Sequence, residues 1–260
     1  MGRITAENLG LVFPLTGAAS TAEGDDPRIV RGTKGRLRGR PVGVRALAGI
    51  GFDLRAGDRL GLVGRNGSGK TTLLHVLAGI YPPDEGRVLI EGRVTSLLNI
   101  NVGVQMSATG HRNVTLRGLA SGRTRAEIEA KRAEIADFAG LGPFMDLPMS
   151  SYSAGMRMRL TFAIATAFTP DVLLLDEWIG AGDKGFQSNA ADRMNAFADA
   201  AGIMVLASHS PTLVERTCTR VLWLDRGRVR MDGAPDTVLP AFAEATGAGR
   251  KAKRRPRPAA

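Results

Sequence analysis

The chain has 260 residues, 43% of them hydrophobic, and a mean hydropathy of −0.04, enough apolar material for one large domain or two small ones. Its longest apolar runs, 160–168 and 172–175, fall far short of the ~18 residues of a membrane span, and Glu7 and Asn8 stand where a signal peptide needs an apolar core. The single Cys218 excludes an intrachain disulfide, and a net charge of +10 falls to +4 once the six cations of the C-terminal tail are set aside. A cytosolic protein is therefore expected. The second basic cluster, Arg28 to Arg40, is glycine-rich and lacks aromatic residues, so it reads as a solvated segment. Such segments suit an anionic membrane surface, and no nucleic-acid partner is expected.

In chain order, a strand is predicted over 4–13, then an extended loop over 16–41 that is rich in Gly, Ser and Arg and has no apolar periodicity. Strands over 44–54 and 59–63 follow, joined at the turn Arg55-Ala56-Gly57-Asp58. A glycine-rich loop, 64–70, leads into a helix over 71–78 that stops before Gly79 and Pro82-Pro83. Short strands are expected at 88–90 and 94–98. From 110 to 167 the pattern becomes helical, with a charged amphipathic stretch at 125–139 and an apolar face over 154–167. The apolar runs 172–175, 203–207 and 221–224, separated by helical segments, suit parallel strands buried on both faces. A strand at 228–231, a helix from Pro235 and a basic tail, 249–260, close the chain. The expected fold class is α/β, with a core interrupted by a helical insert at about 100–168 and no internal repeat.

Gly64-Arg65-Asn66-Gly67-Ser68-Gly69-Lys70-Thr71 satisfies the pattern G-x-x-x-x-G-K-[ST] of a phosphate-binding P-loop, between an apolar strand and a helix as that motif requires. Glycines let successive backbone N–H groups converge on phosphate oxygens, and the helix N-terminus adds its positive end. Lys70 then reaches the β- and γ-phosphates, the Thr71 hydroxyl is a Mg²⁺ ligand, and Thr72 extends the phosphate-binding set. About a hundred residues later an apolar strand ends in Asp176 and Glu177. Metal-assisted phosphoryl transfer needs such a pair: Asp176 to hold Mg²⁺ and Glu177 to polarise the attacking water. Both motifs fall at the carboxyl ends of strands, where open α/β sheets bind ligands. His209, just past the run 203–207, has two readings: a γ-phosphate contact, or a capping or surface histidine.

The order of these features resembles an ATP-binding-cassette (ABC) ATPase over nearly the whole chain: P-loop, helical insert, Tyr152-Ser153-Ala154-Gly155-Met156, Asp176-Glu177, Gly180-Ala181-Gly182-Asp183 and His209. The resemblance implies a RecA-like mixed-sheet core with an antiparallel β subdomain and a helical subdomain, an ATPase domain over 1–248, and ATP with Mg²⁺ as cofactors. It implies that Ser153, Ala154, Gly155 and Met156 form the signature motif and touch the ATP held by a second subunit. Asp183 is then the D-loop aspartate and His209 the switch histidine. Gln105 is the Q-loop candidate, a Mg²⁺ and partner sensor, against an ordinary loop glutamine. Phe13 is the candidate for stacking on adenine, against a plain core residue.

The segments "SYSAGMRMRLTFAIATA", "GRVTSLLNI" with "ATGHRNVTLRG", and "LLLDEWIGAGD" resemble the ATP-binding subunits of bacterial polysaccharide exporters. That resemblance implies a head-to-tail homodimer, separate transmembrane permeases of the ABC-2 type, and a peripheral place on the cytoplasmic side of the inner membrane. It also implies a lipid-linked cargo of the O-antigen, capsule or teichoic-acid kind. The alternatives are an ABC ATPase for a different cargo, a soluble ABC ATPase outside transport, and a nucleotide-binding regulator without turnover.

Overall fold

The computed structural model describes residues 2–15, 26–33, 39–98, 100, 103–177 and 184–247, and the chain divides into two compact units. One comprises residues 3–90 and 205–260; the other comprises 1–2 and 91–204.

In the first unit, β1 (Arg3–Pro14) and β3 (Pro41–Arg55) pair antiparallel from Arg3 opposite Arg55 to Pro14 opposite Gly43. With β2 (Ile29–Arg31) and β5 (Glu85–Glu91) they form a sheet in the order β2-β3-β1-β5. Ile4, Leu9, Leu47, Ile50 and Leu54 are fully buried on it, so these strands bury one face and wet the other. Strand β2 corrects the expectation of an extended loop over 16–41 at residues 29–31. Ile29 and Val30 lie opposite Val44 and Gly43, because β-branched residues beside an open strand edge gain ladder hydrogen bonds that a periodicity search over three residues cannot detect.

The same unit holds β4 (Arg59–Val63), β9 (Arg220–Asp225) and β10 (Arg228–Gly233), with β4 parallel to β9 and β9 antiparallel to β10. Strand β8 (Ile203–Ala207) ends beside β4, where the Ser208 N–H donates to the Leu62 carbonyl at 3.3 Å. Helix α1 (Lys70–Leu77) follows β4, and α6 (Pro211–Thr217) and α7 (Pro235–Thr246) complete the unit. Helix α6 lies close on β4: a Cβ added at Gly61 would meet Val214 Cγ1 at 2.5 Å and Cys218 Sγ at 3.2 Å. Burial pushes the Cys218 thiol up to about 11, so it is a packing group there.

In the second unit, β6 (Val94–Ser96) and β7 (Val172–Asp176) are parallel, with Val94 opposite Val172. Three helices, α2 (Gly110–Ala120), α3 (Arg125–Ala139) and α4 (Ala154–Ala165), enclose a core that includes Val114, Ile128, Ile135, Leu160 and Ile164. Gly118 lets α2 and α3 touch, since a Cβ there would meet Ile128 Cγ1 at 2.5 Å. Helix α3 starts on a reciprocal capping box between Thr124 and Glu127 and ends at Gly140, φ 61°. Helix α5 (Lys184–Ala200) joins through Phe186, whose ring stands edge-on to Phe138 and Phe162. Among the described residues, no helix is long and apolar enough to cross a membrane.

Candidate functional site

The loop between β4 and α1 has its shape forced by its own neighbours. A side chain at Gly64 (φ 155°) would meet the Leu224 carbonyl oxygen and Ser68 Oγ, each at 2.4 Å, and one at Gly69 (φ 107°) would meet the Ala46 carbonyl at 2.9 Å. The Ser68 N–H closes a turn onto the Arg65 carbonyl at 3.0 Å, and the Gly227 N–H donates to the Ser68 carbonyl at 2.9 Å. The Lys70 side chain is buried and folds back, its Nζ donating to the Gly64 carbonyl at 2.8 Å and the Arg65 carbonyl at 3.4 Å. Helix α1 has no acidic residue in its first turn, so its positive end is left for an anion. Arg65, Asn66, Gly67 and Thr71 are exposed around this turn, and Thr72 is half-buried.

Two residues that sequence reasoning missed brace the loop from outside. Arg28 donates to the Gly67 carbonyl at 3.0 Å while both Asp26 oxygens hold its guanidinium, the shorter contact being 2.6 Å. Those hydrogen bonds bring the Asp26 carboxyl down to about 2, so it stays charged at ordinary pH. The Gly-Arg composition around Arg28 offered no signal for this, because the contact spans 39 residues.

His209 follows β8, the neighbour of β4, so the structure brings it and the P-loop to the carboxyl ends of adjacent strands in one unit. Ser208 is buried and accepts from the Ser210 N–H at 3.1 Å, while Ser210 caps α6 through Leu213 N. Ser210 takes the cap, and His209 is exposed beside it. Phe13, also in this unit, is 39% exposed and not core; its ring meets Tyr81 edge-on at 5.4 Å.

In the other unit, Asp176 ends β7 half-buried, and Glu177 is exposed in left-handed backbone, φ 67°. For a residue with a Cβ that conformation costs about 1–2 kcal/mol, and such strain concentrates at functional sites. Asp183 lies outside the described residues. Ser153 is the N-cap of α4, its Oγ accepting from the Met156 N–H at 3.2 Å. Ala154 and Gly155 are exposed on the first turn and Met156 is half-buried. Gly155 does not have positive φ, and a Cβ there would meet nothing nearer than Ser153 Oγ at 3.9 Å. Tyr152 is held beneath: its hydroxyl donates to the Phe144 carbonyl at 2.6 Å, its main-chain carbonyl accepts from Arg157, and burial raises its pKa.

Gln105 is exposed, with its backbone fixed by Asn113, a second group that sequence reasoning missed. Fully buried Asn113 accepts from the Gln105 N–H at 2.8 Å and donates to the carbonyls of Gln105, Ala108 and Thr109 at 3.0–3.2 Å. Arg117 donates to the Ile100 carbonyl at 2.6 Å, and burial lowers its pKa.

The family model described as "ABC transporter" matches residues 47–180. The chain is 38% identical over 233 residues to the O-antigen export system ATP-binding protein RfbE of Yersinia enterocolitica, covering 88% of this chain and 97% of that one. It is 39% identical over 218 residues to the O-antigen export system ATP-binding protein RfbB of Myxococcus xanthus, covering 84% and 50%. To the teichoic acids export ATP-binding protein TagH of Levilactobacillus brevis it is 39% identical over 201 residues, covering 77% and 55%. The chain thus spans about half the length of RfbB and TagH. Two solved folds are similar: an ATP-binding subunit of an ABC transporter, at TM-score 0.66 and 21% identity over 92% of this chain and 93% of that one, and a dimeric ATP-binding cassette in a post-hydrolysis state bound to ADP and Pi, at 0.63 and 17% over 89% and 98%.

Proposed function

Because this chain belongs to the ABC transporter family, as an ATP-binding cassette with ATPase chemistry, we propose that it is the ATP-hydrolysing subunit of a polysaccharide exporter of the O-antigen or teichoic-acid kind. The observation that carries this reading is the run of 38% identity along 97% of RfbE, in a chain whose P-loop has the built geometry of a phosphate cradle. In the proposed reaction the carbonyl-bound Lys70 ammonium exchanges its partners at Gly64 and Arg65 for the β- and γ-phosphate oxygens of ATP. The Thr71 hydroxyl and the Asp176 carboxylate are hard oxygen donors that fit Mg²⁺, with Gln105 a further candidate. Mg²⁺, when bound, supplies charge neutralisation at the transferring phosphoryl group. Glu177 accepts the proton of the attacking water, His209 contacts the γ-phosphate, and Phe13 stacks on adenine.

The signature residues Ser153 to Met156 serve a second copy's ATP. A glycine with open space around it, Gly155, supports that role, since its own chain does not require it. Two copies therefore assemble head to tail as a homodimer, and nucleotide is part of their interface. Met106, Phe144 and Leu147, exposed at 42–48% in the unit that holds Gln105, support a docking surface for separate ABC-2-type permeases. Docking there would hold the chain peripherally on the cytoplasmic face of the inner membrane while a lipid-linked glycan crosses. Within an ATPase domain over 1–248 we read a helical insert at about 100–168, and 249–260 as a basic tail.

Glu177→Gln is the test. It removes the base and keeps the size, so phosphate release should fall by about 10²–10⁴-fold while ATP binding persists and closed dimer accumulates on a sizing column. Release at the parent rate would remove Glu177 from the mechanism. For the cargo, depletion of the protein in its host should trap glycan on the cytoplasmic side, and unchanged surface glycan would redirect the reading to another cargo.

A further inference from the structure

A cleft of about 430 Å³ opens on the outer flank of the P-loop, lined by Arg28, Arg65, Arg226, Arg230, Trp223 and neighbouring residues. It takes in loop residues 65–68, whereas Lys70 and Thr71 are not part of its lining, so it is distinct from the phosphate cradle above α1. Four arginines from three separate chain segments line it. Their carboxylate partners are Asp26, on Arg28 at 2.6 Å, and Asp225, on Arg230 at 3.4 Å, which leaves an excess of two positive charges. The carboxyl end of α7, which also borders the cleft, contributes only about half an opposing charge.

Two of the guanidinium groups, those of Arg28 and Arg230, are held in place before any ligand arrives. Arg28 is fixed between Asp26 and the Gly67 carbonyl. Arg230 lies over the Trp223 ring at 4.7 Å, and that ring is itself buried and stands edge-on to Phe242. Arg226 occupies the first position of a two-residue hairpin turn with Gly227, φ 49° and 79°. Hairpin turns with two positive φ angles favour Asn, Asp or Gly at that first position, so an arginine is kept there against local preference. Arg226 is part of the cleft lining.

We propose that this cleft binds a phosphorylated anion of about diphosphate size, at a site beside the P-loop and separate from the nucleotide. Planar guanidinium forks match phosphate oxygens two at a time, and the volume falls in the range of small-ligand sites. Arg28 belongs to both places, since it lines the cleft and also holds the Gly67 carbonyl. A ligand drawing on Arg28 therefore alters the P-loop, and occupancy of the cleft changes nucleotide affinity. The phosphate group comes from a soluble metabolite or from an anionic lipid headgroup.

The experiment is calorimetric titration of the full chain with inorganic pyrophosphate. Three proteins are compared at matched ionic strength: the parent, Lys70→Ala, and the double variant Arg226→Ala with Arg230→Ala. Lys70→Ala should retain one pyrophosphate site, and the double variant should lose about tenfold or more in affinity at that site while still binding ATP. Loss of all pyrophosphate binding in Lys70→Ala, or unchanged binding in the double variant, overturns the proposal. Arg226→Asn guards against misfolding: it suits the turn, so its melting temperature should hold or rise while pyrophosphate affinity falls, and undiminished affinity there also overturns the proposal. Sedimentation with phosphatidylglycerol and phosphatidylcholine vesicles separates the sources. A phosphatidylglycerol preference that drops in the double variant assigns the headgroup, and equal sedimentation of parent and variant assigns a soluble ligand. Failure of the proposal leaves ATP turnover, and with it the proposed function, intact.

Discussion

The P-loop and the turn before α4 have similar compositions, small residues with a serine ahead of a helix, yet their glycines answer to different constraints. At Gly64 a side chain would strike the Leu224 carbonyl at 2.4 Å, and at Gly69 the backbone turns to φ 107° against the Ala46 carbonyl. At Gly155 the nearest atom to an added Cβ is 3.9 Å away and φ is not positive. The first loop needs its glycines in order to fold. The second could carry alanine without strain, and alanine in a helix is favoured over glycine by about 0.5–1 kcal/mol. In the proposed assembly a second copy's phosphates approach this turn, which would account for a glycine that its own chain does not require.

The contrast can be broken experimentally. Gly64→Ala should lower the melting temperature sharply, by the equivalent of about 3 kcal/mol or more, and remove nucleotide binding with it; a protein that melts normally with this change would mean that the loop has another way to fold. Ser153→Asp should cut turnover by about 100-fold, because a carboxylate would face phosphate. Its melting temperature should barely move, since Asp caps a helix as well as Ser does. An active Ser153→Asp protein would argue against a composite site. Gly155→Ala should leave stability unchanged or slightly raised and slow hydrolysis by about tenfold, with ATP affinity of the single subunit untouched; full activity would show that the space around Gly155 stays empty in the working assembly.

The smallest effect concerns Asp26. Its folded pKa is depressed from 3.8 to about 2, so its contribution is complete above 3.8 and disappears as pH falls through about 2. Asp26→Asn should therefore weaken nucleotide binding by at most about fivefold, by the same factor at pH 6 and pH 8. A factor that changes across that window would place another titrating group at the brace.

Much of the chemistry was legible because it rests on local sequence. The pattern from Gly64 to Thr71 needs only consecutive residues, and the apolar run ending in Asp176 states its strand in five letters. The helices at 125–139 and from 154 were legible through their apolar spacing. Legibility stopped where contacts are remote. Nothing near Arg28 predicts the Gly67 carbonyl, and nothing near Ile29 predicts the edge of β3. Asn113 as the knot of the Gln105 segment depends on a helix turning a polar group inward onto a loop.

The sequence by itself determined the phosphate-binding chemistry, the α/β class and the family, since these depend on residue identity and short-range spacing. Only the tertiary structure decided which glycines the fold requires, that Ser153 serves as a cap, and that four arginines from distant segments share one cleft. Steric need and electrostatic excess arise between residues that the chain separates, so they become readable only once the backbone has brought them together.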